Sequence, residues 1–268
     1  MKVGKKLVVI LAGAVALASV AFSGCFLYSE EAYLPEYESE YYRYAVRTME
    51  DGKKEAYLVG FTELGLEQKY LILPEEFDGI KLAGLGYYHK LNHGGKNVGG
   101  LIHNTLERLY ITFETTEDNW SPNYAGCGLA KCSIVEMCPS IIYFPCEGYL
   151  FPHHLLKRYL DNLESIEKEE NHKTRVANVS YMYNYEGAEN EGYYWADSYD
   201  QTTIDFIPPE PEREGYTFGG WYKEAECVNE WDFENDKLGE EIWVNTKLDY
   251  EDYKKEDITW LYARWVKE

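Results

Sequence analysis

Positive charge is in short supply: 26 Lys and Arg stand against 47 Asp and Glu, a formal net charge of −21 over 268 residues. A field of that sign repels phosphate backbones and anionic headgroups, because both are steered by cationic surface. Nucleic acid is therefore excluded as a partner class. Catalytic signatures are missing as well. No serine stands in a nucleophile elbow, and no glycine-rich loop joins a strand to a helix with phosphate-binding spacing. His89 and His93 lie at ligand-like spacing, but Gly84, Gly86, Gly94 and Gly95 surround them and no Glu follows the first His. They read as a loop pair, and His153-His154 as the start of a helix. Carboxylates are too numerous for a catalytic pair to be nominated without a cleft to hold it. No enzyme, cofactor or metal is expected.

Cysteine is sparse and clustered. Cys25 aside, the chain has Cys127, Cys132, Cys138, Cys146 and Cys227, the first four separated by four, five and seven residues. Structural zinc asks for two close ligand pairs with about two to four residues between partners, which this spacing does not reproduce. Buried thiols are the first reading, one local disulfide the second and a metal the third. The acidic run Asp232, Glu234, Asn235 and Asp236 reads as turn chemistry before it reads as calcium ligands.

What is present begins at the N-terminus. Lys2, Lys5 and Lys6 precede an apolar and small-residue run from Leu7 to Phe22, closed by Phe22-Ser23-Gly24-Cys25. That is the layout of an export signal. No charge falls between Lys6 and Glu30, so an uncleaved anchor of about 20 apolar residues fits by length. Gly13, Ser19, Ser23 and Gly24 break the run, however, and no basic stop-transfer cluster follows. A plain secretory signal is the third reading. The four residues ending in Cys25 resemble the lipobox of bacterial lipoproteins, with Phe22 where Leu is usual. The resemblance implies that residues 1–24 are a signal peptide, that Cys25 is lipidated, and that the remainder is held on the outer face of the cell membrane. All three readings place residues 26–268 outside the cytoplasm.

Residues 25–40, rich in Glu, Tyr and Ser, read as a tether. Tyr41 to Met49 and Glu55 to Phe61 then flank Asp51-Gly52-Lys53, a hairpin signal. Tyr70-Leu71-Ile72-Leu73-Pro74 is a short strand stopped by proline, followed by a turn at Asp78-Gly79. The run from Tyr57 to Gly86 resembles the opening rungs of BspA-type leucine-rich repeats. Further rung candidates are Leu106 to Thr112, Ala125 to Leu129 running into Cys132 to Met137, and Ser140 to Pro145, with a Gly-rich excursion at Leu85 to Gly100. Stacked rungs bury faces that one alone cannot, so at least about three are expected. Leu155, Leu156, Tyr159, Leu160, Leu163 and Ile166 fall at helical spacing and predict a capping helix. The charged stretch from Glu167 marks a junction, with the first domain at 41–172.

From residue 173 the pattern changes. Ala177, Val179, Tyr181 and Tyr183 alternate with polar residues as a half-buried strand should. Arg213 to Trp221 reads REGYTFGGW, with Pro208, Pro209 and Pro211 before it, then Cys227, Trp231-Asp232-Phe233 and a closing Leu261-Tyr262-Ala263-Arg264-Trp265. This segment resembles the Listeria/Bacteroides repeat, or internalin B-repeat, which implies a small β-grasp-like domain of surface proteins, and the residue pattern itself predicts five short strands around aromatic side chains. The segments 184–205 and 236–256 exceed the short repeat form. Tyr193, Tyr194 and Trp195 lie in the first of these and form the candidate binding surface, since such rings offer rigid contact area at modest entropic cost.

The expected fold is thus α+β, mainly β: an irregular leucine-rich-repeat-like domain with a capping helix, then a small β-grasp-like repeat domain at 173–268. The expected function is non-catalytic adhesion or ligand binding at the cell envelope, with a lipid anchor in the membrane and an extracellular protein or glycan as partner. A surface glycan-processing or solute-capturing lipoprotein is the alternative. It requires a deep cleft lined by Tyr, Trp and two converging carboxylates.

Overall fold

Asp51-Gly52-Lys53 turns the chain back on itself, with Gly52 at φ 84, a backbone region that favours a residue without a Cβ. The computed structural model describes residues 34–91, 94–98, 101–116, 119, 132–139, 150–155, 173–199, 203–245 and 258–268. Its strands in chain order are β1 (Glu36–Glu38), β2 (Tyr42–Thr48), β3 (Lys54–Phe61), β4 (Tyr70–Leu73), β5 (Glu76–Phe77), β6 (Ile80–Leu85), β7 (Tyr87–Leu91), β8 (Gly94–Val98), β9 (Arg108–Thr115) and β10 (Ser133–Pro139). They continue with β11 (Leu150–Phe151), β12 (Lys173–Val176), β13 (Val179–Met182), β14 (Tyr193–Asp197), β15 (Tyr216–Tyr222), β16 (Ile242–Asn245) and β17 (Thr259–Lys267). A one-turn helix, α1 (Glu63–Leu66), follows β3. The protein is mainly β, and Tyr33–Glu268 form one compact unit.

β2 and β3 make the expected hairpin inside a five-stranded sheet ordered β1-β2-β3-β6-β5. The end of the segment read as a tether is drawn onto this sheet. β1 pairs antiparallel with β2, and Tyr37 stacks on Tyr44 at 5.6 Å. A single aromatic pair supplies contact that the Glu-rich composition lacks. The Gly-rich excursion is a second hairpin, β7 with β8. His89 lies on β7, and His93 is outside the described residues.

Three of the segments read as rungs are strands that lie side by side. β4, β9 and β10 form a wholly parallel sheet in which Leu71, Leu109 and Ile134 share one register position and Ile72, Tyr110 and Val135 the next. The first set packs with Leu58, Phe77, Leu82 and Leu85. The second packs with Val179, Tyr181, Trp195 and Leu261. The ladder is therefore buried on both faces, as parallel sheets are. The segments 125–129 and 140–145 and the junction at 167–172 are outside the described residues. Of the capping helix only its beginning is described: residues 153–155 are helical and Leu155 is buried.

The C-terminal sheet has the order β14-β13-β17-β15, with β13 and β17 parallel at its centre and β14 and β15 antiparallel outside them. The described residues give it four strands rather than the expected five. β16, from the second long segment, pairs instead with β12, which pairs with β11. β13 is buried on both faces from Val179 to Tyr181, not on one, and Met182 at its end is partly exposed. Asn178, at its start, donates from Nδ2 to the carbonyls of Tyr199, Gly239 and Glu240, which lets a polar group sit inside. β15 departs from simple alternation too. A bulge between Phe218 and Trp221, with Gly220 at φ 101, brings the two rings into edge contact at 5.1 Å.

Candidate functional site

β9 turns Arg108 and Tyr110 toward the C-terminal sheet, where Asp197 ends β14 with no exposed surface. Arg108 Nε donates to Asp197 Oδ1 at 2.9 Å, and the Ser198 N–H donates to the same oxygen at 2.7 Å. Tyr110 OH donates to Asp197 Oδ2, while Arg108 also donates to the carbonyls of Ser198 and Glu107. A buried ion pair is tolerated when its remaining donors and lone pairs are occupied in this way. Burial, then the Asp197 carboxylate, pushes the Tyr110 phenol well above its ordinary range. This node clamps β14 against the ladder.

Beside the clamp a cleft of about 200 Å³ opens between the ladder and the first strands of the C-terminal sheet. Ile72, Thr112, Met137 and Cys138 form its ladder side. The other side is built by the turn before β14, where Asn190, Glu191 and Gly192 adopt φ 47, 55 and 90 in succession. Left-handed backbone at two non-glycine residues is costly and persists only where surroundings enforce it. Asn190 Nδ2 does so, donating to the carbonyls of Met137 and Tyr193, both at 3.1 Å. Tyr183 OH donates to Glu189 Oε1 at 2.7 Å, and Tyr194 OH to the Pro209 carbonyl at 2.7 Å.

The predicted aromatic triplet lines this cleft but divides within it. Tyr193 and Tyr194 are half-buried on the wall, and Tyr193 stacks on His154 at 3.9 Å. Trp195 is 2% exposed and packs on Tyr110 at 4.5 Å. It is a core residue at the base of the cleft, not exposed surface. The cause is the ladder, whose second face covers it. Tyr183, read from the sequence as a strand aromatic, completes the wall with Glu189, Asn190 and Pro209, and those last three were not singled out as a site by sequence reasoning. The turn signal Asn190-Glu191-Gly192, directly before an aromatic strand, was available to mark them.

Carboxylates dominate the electrostatics. Burial, then Glu189, raises the Tyr183 phenol; burial and Glu212 push Tyr194 up to about 12; burial and Glu191 raise Tyr193. The Cys138 thiol is pushed up to about 11 by burial, Glu189 and Glu114. These groups are neutral at physiological pH, and no Lys or Arg lines the cleft among the described residues.

The acidic run is a closed turn. Asp232 Oδ1 accepts from the Glu234 and Asn235 amides at 2.9 and 3.1 Å, and Asp236 takes the Asp232 amide and Lys223 Nζ at 2.8 and 2.6 Å. Among the described residues no group of His, Cys, Asp and Glu stands placed to hold a metal ion. Cys132 is buried and Cys138 and Cys227 are half-buried free thiols, while Cys127 and Cys146 are outside the described residues. Cys25 and the leader are outside them too. No described helix is long and apolar enough to cross a membrane.

No curated protein and no solved structure matches the chain. A family model described as the Listeria-Bacteroides repeat domain matches residues 178–244. The match takes in β13, β14 and β15, Asp197 and the Tyr183–Trp195 wall of the cleft. Residues 178–244 thus match a Listeria-Bacteroides repeat, and the parallel ladder supplies the opposite wall of the cleft.

Proposed function

We propose that this is an exported, lipid-anchored protein that works at the cell envelope by non-covalent adhesion or ligand capture. The leader ending in Cys25 supports the address, and the repeat at 178–244 supports a surface role. We read the N-terminal part as leucine-rich-repeat-like from its in-register parallel strands, and the C-terminal sheet as β-grasp-like from its second–first–last–third strand order. The partner is an extracellular protein or glycan. The observation that carries the binding reading is the aromatic cleft, pre-formed and held by the Arg108–Asp197 clamp. A glycan-processing site asks for two converging carboxylates, and among the described residues the lining of this cleft contributes one, Glu189.

The anchor is tested by Cys25→Ala. The variant is expected in the medium without fatty-acid label, whereas retention at the membrane with unchanged labelling would overturn the lipoprotein reading.

A further inference from the structure

We infer that the cleft between the ladder and the C-terminal sheet receives an alkylammonium group, primary or quaternary, carried on a larger ligand. The inference rests on the binding reading above and adds the chemistry of what is bound. Its first support is the hydrogen-bond inventory. Tyr183 and Tyr194 have one O–H each, already donated to Glu189 and to the Pro209 carbonyl. Asn190 commits its side-chain amide to two carbonyls. What Tyr183, Tyr194 and Asn190 leave for a visitor is ring faces, a carboxylate and carbonyl oxygens, all of them electron-rich. Thr112 and Tyr193, also in the lining, add hydroxyls, and acceptor oxygens together with π-faces are the groups that recognise an ammonium.

Charge points the same way. Glu189 stands at the cleft, Glu191 and Glu212 act on the flanking tyrosines, and no cationic side chain lines it among the described residues. The phenols are protonated at neutral pH, as phenols ordinarily are, and burial and these carboxylates raise them further, so their rings remain neutral π-surfaces. The formal charge of −21 adds a long-range field that draws cations inward. Size agrees as well, since about 200 Å³ admits a headgroup or a side-chain end but not a whole polymer. Two sources share this chemistry: a choline-type quaternary headgroup, and a primary amine on a lysine side chain or amino sugar.

The test titrates the full chain in detergent with choline, Nα-acetyl-lysine methylamide, glucose and 3,3-dimethylbutan-1-ol, the neutral isostere of choline, following tryptophan fluorescence. At least one cation is expected to saturate, with affinity about ten-fold above that of the neutral isostere. Which cation binds more tightly identifies the source. Glu189→Gln keeps the acceptor for Tyr183 and is expected to weaken cation binding by about five-fold at low salt with an unchanged melting temperature. Glu189→Lys should abolish it. Equal binding of choline and its isostere, or full affinity in Glu189→Lys, overturns the proposal. Saturation by glucose alone sinks the cationic ligand but leaves the binding reading standing. Silence from all four probes in a folded protein removes both.

Discussion

A side chain at Gly65 would place its Cβ 2.0 Å from the Tyr41 carbonyl oxygen and 2.9 Å from its carbon. That carbonyl cannot retreat freely, because it accepts the Thr62 amide at 3.0 Å while Thr62 Oγ1 donates to Glu40 O at 2.8 Å and accepts the Gly65 amide at 3.1 Å. The Gly65 carbonyl is tied as well, to His103 Nε2 at 2.9 Å. His103 Nδ1 accepts the Leu106 amide at 2.8 Å, which assigns the ring proton to Nε2. Gly65→Ala is expected to cost about 2–3 kcal/mol, as overpacking against backbone does. Thermal unfolding should then show a midpoint lowered by roughly 5–10 °C, and an unchanged midpoint would refute the close approach. Nothing in the local sequence marks this glycine. Its constraint comes from a neighbouring strand end more than twenty positions earlier, whereas Gly52 was legible because its turn is local.

At the scale of elements, the parallel ladder and the C-terminal sheet are joined through β9 and β14. The Arg108 and Asp197 side chains are 9% and 0% exposed, so removing one partner strands the other in the interior. Asp197→Leu alone is expected to cost about 3–5 kcal/mol. The double variant Arg108→Met/Asp197→Leu should recover part of that loss, giving a coupling of about 1–3 kcal/mol in a urea-unfolding cycle. Additive single effects would argue against a direct link. The Lys69–Glu107 pair offers the contrast, since its side chains are 65% and 40% exposed and solvent screening leaves such a pair little weight in stability. Several elements were legible from local pattern. The β2–β3 hairpin, β4 stopped by Pro74, and the strands β9 and β10 all follow from alternation and turn residues. β1 and β16 were not, because each is only three or four residues long and exists as a strand only where a partner edge is offered.

For the whole molecule the two cores interlock. Val176, Ile242 and Ile258 pack into the N-terminal core, and Tyr110, Val135, Met137 and Leu150 into the C-terminal one. Residues 34–268 are therefore expected to unfold in one calorimetric transition, and two resolved transitions would contradict the shared packing. The buried tyrosines set its alkaline limit. Tyr44 and Tyr194 are pushed up to about 12 and Tyr42, Tyr70 and Tyr199 are raised, burial being the largest cause in each. Between the ordinary tyrosine range near pH 10 and those raised values, the unfolded chain has released protons that the folded chain keeps. Stability must then fall as pH rises. The stabilisation is complete below about pH 10 and should be lost progressively toward about pH 12, with tyrosinate absorbance and unfolding appearing together. Tyrosines that titrate near pH 10 in a still-folded protein would contradict their burial.

The amino-acid pattern alone determined the strand-rich character, the first hairpin, the strands of the parallel ladder and the repeat in the C-terminal part, because each is written in residues close enough to interact within one turn or one strand. The tertiary structure decided what covers the second face of the ladder, and with it the burial of Trp195, the ion pair between positions 89 residues apart, and the cleft beside that pair. Burial and partner choice at that range depend on how whole sheets meet, which local periodicity does not encode.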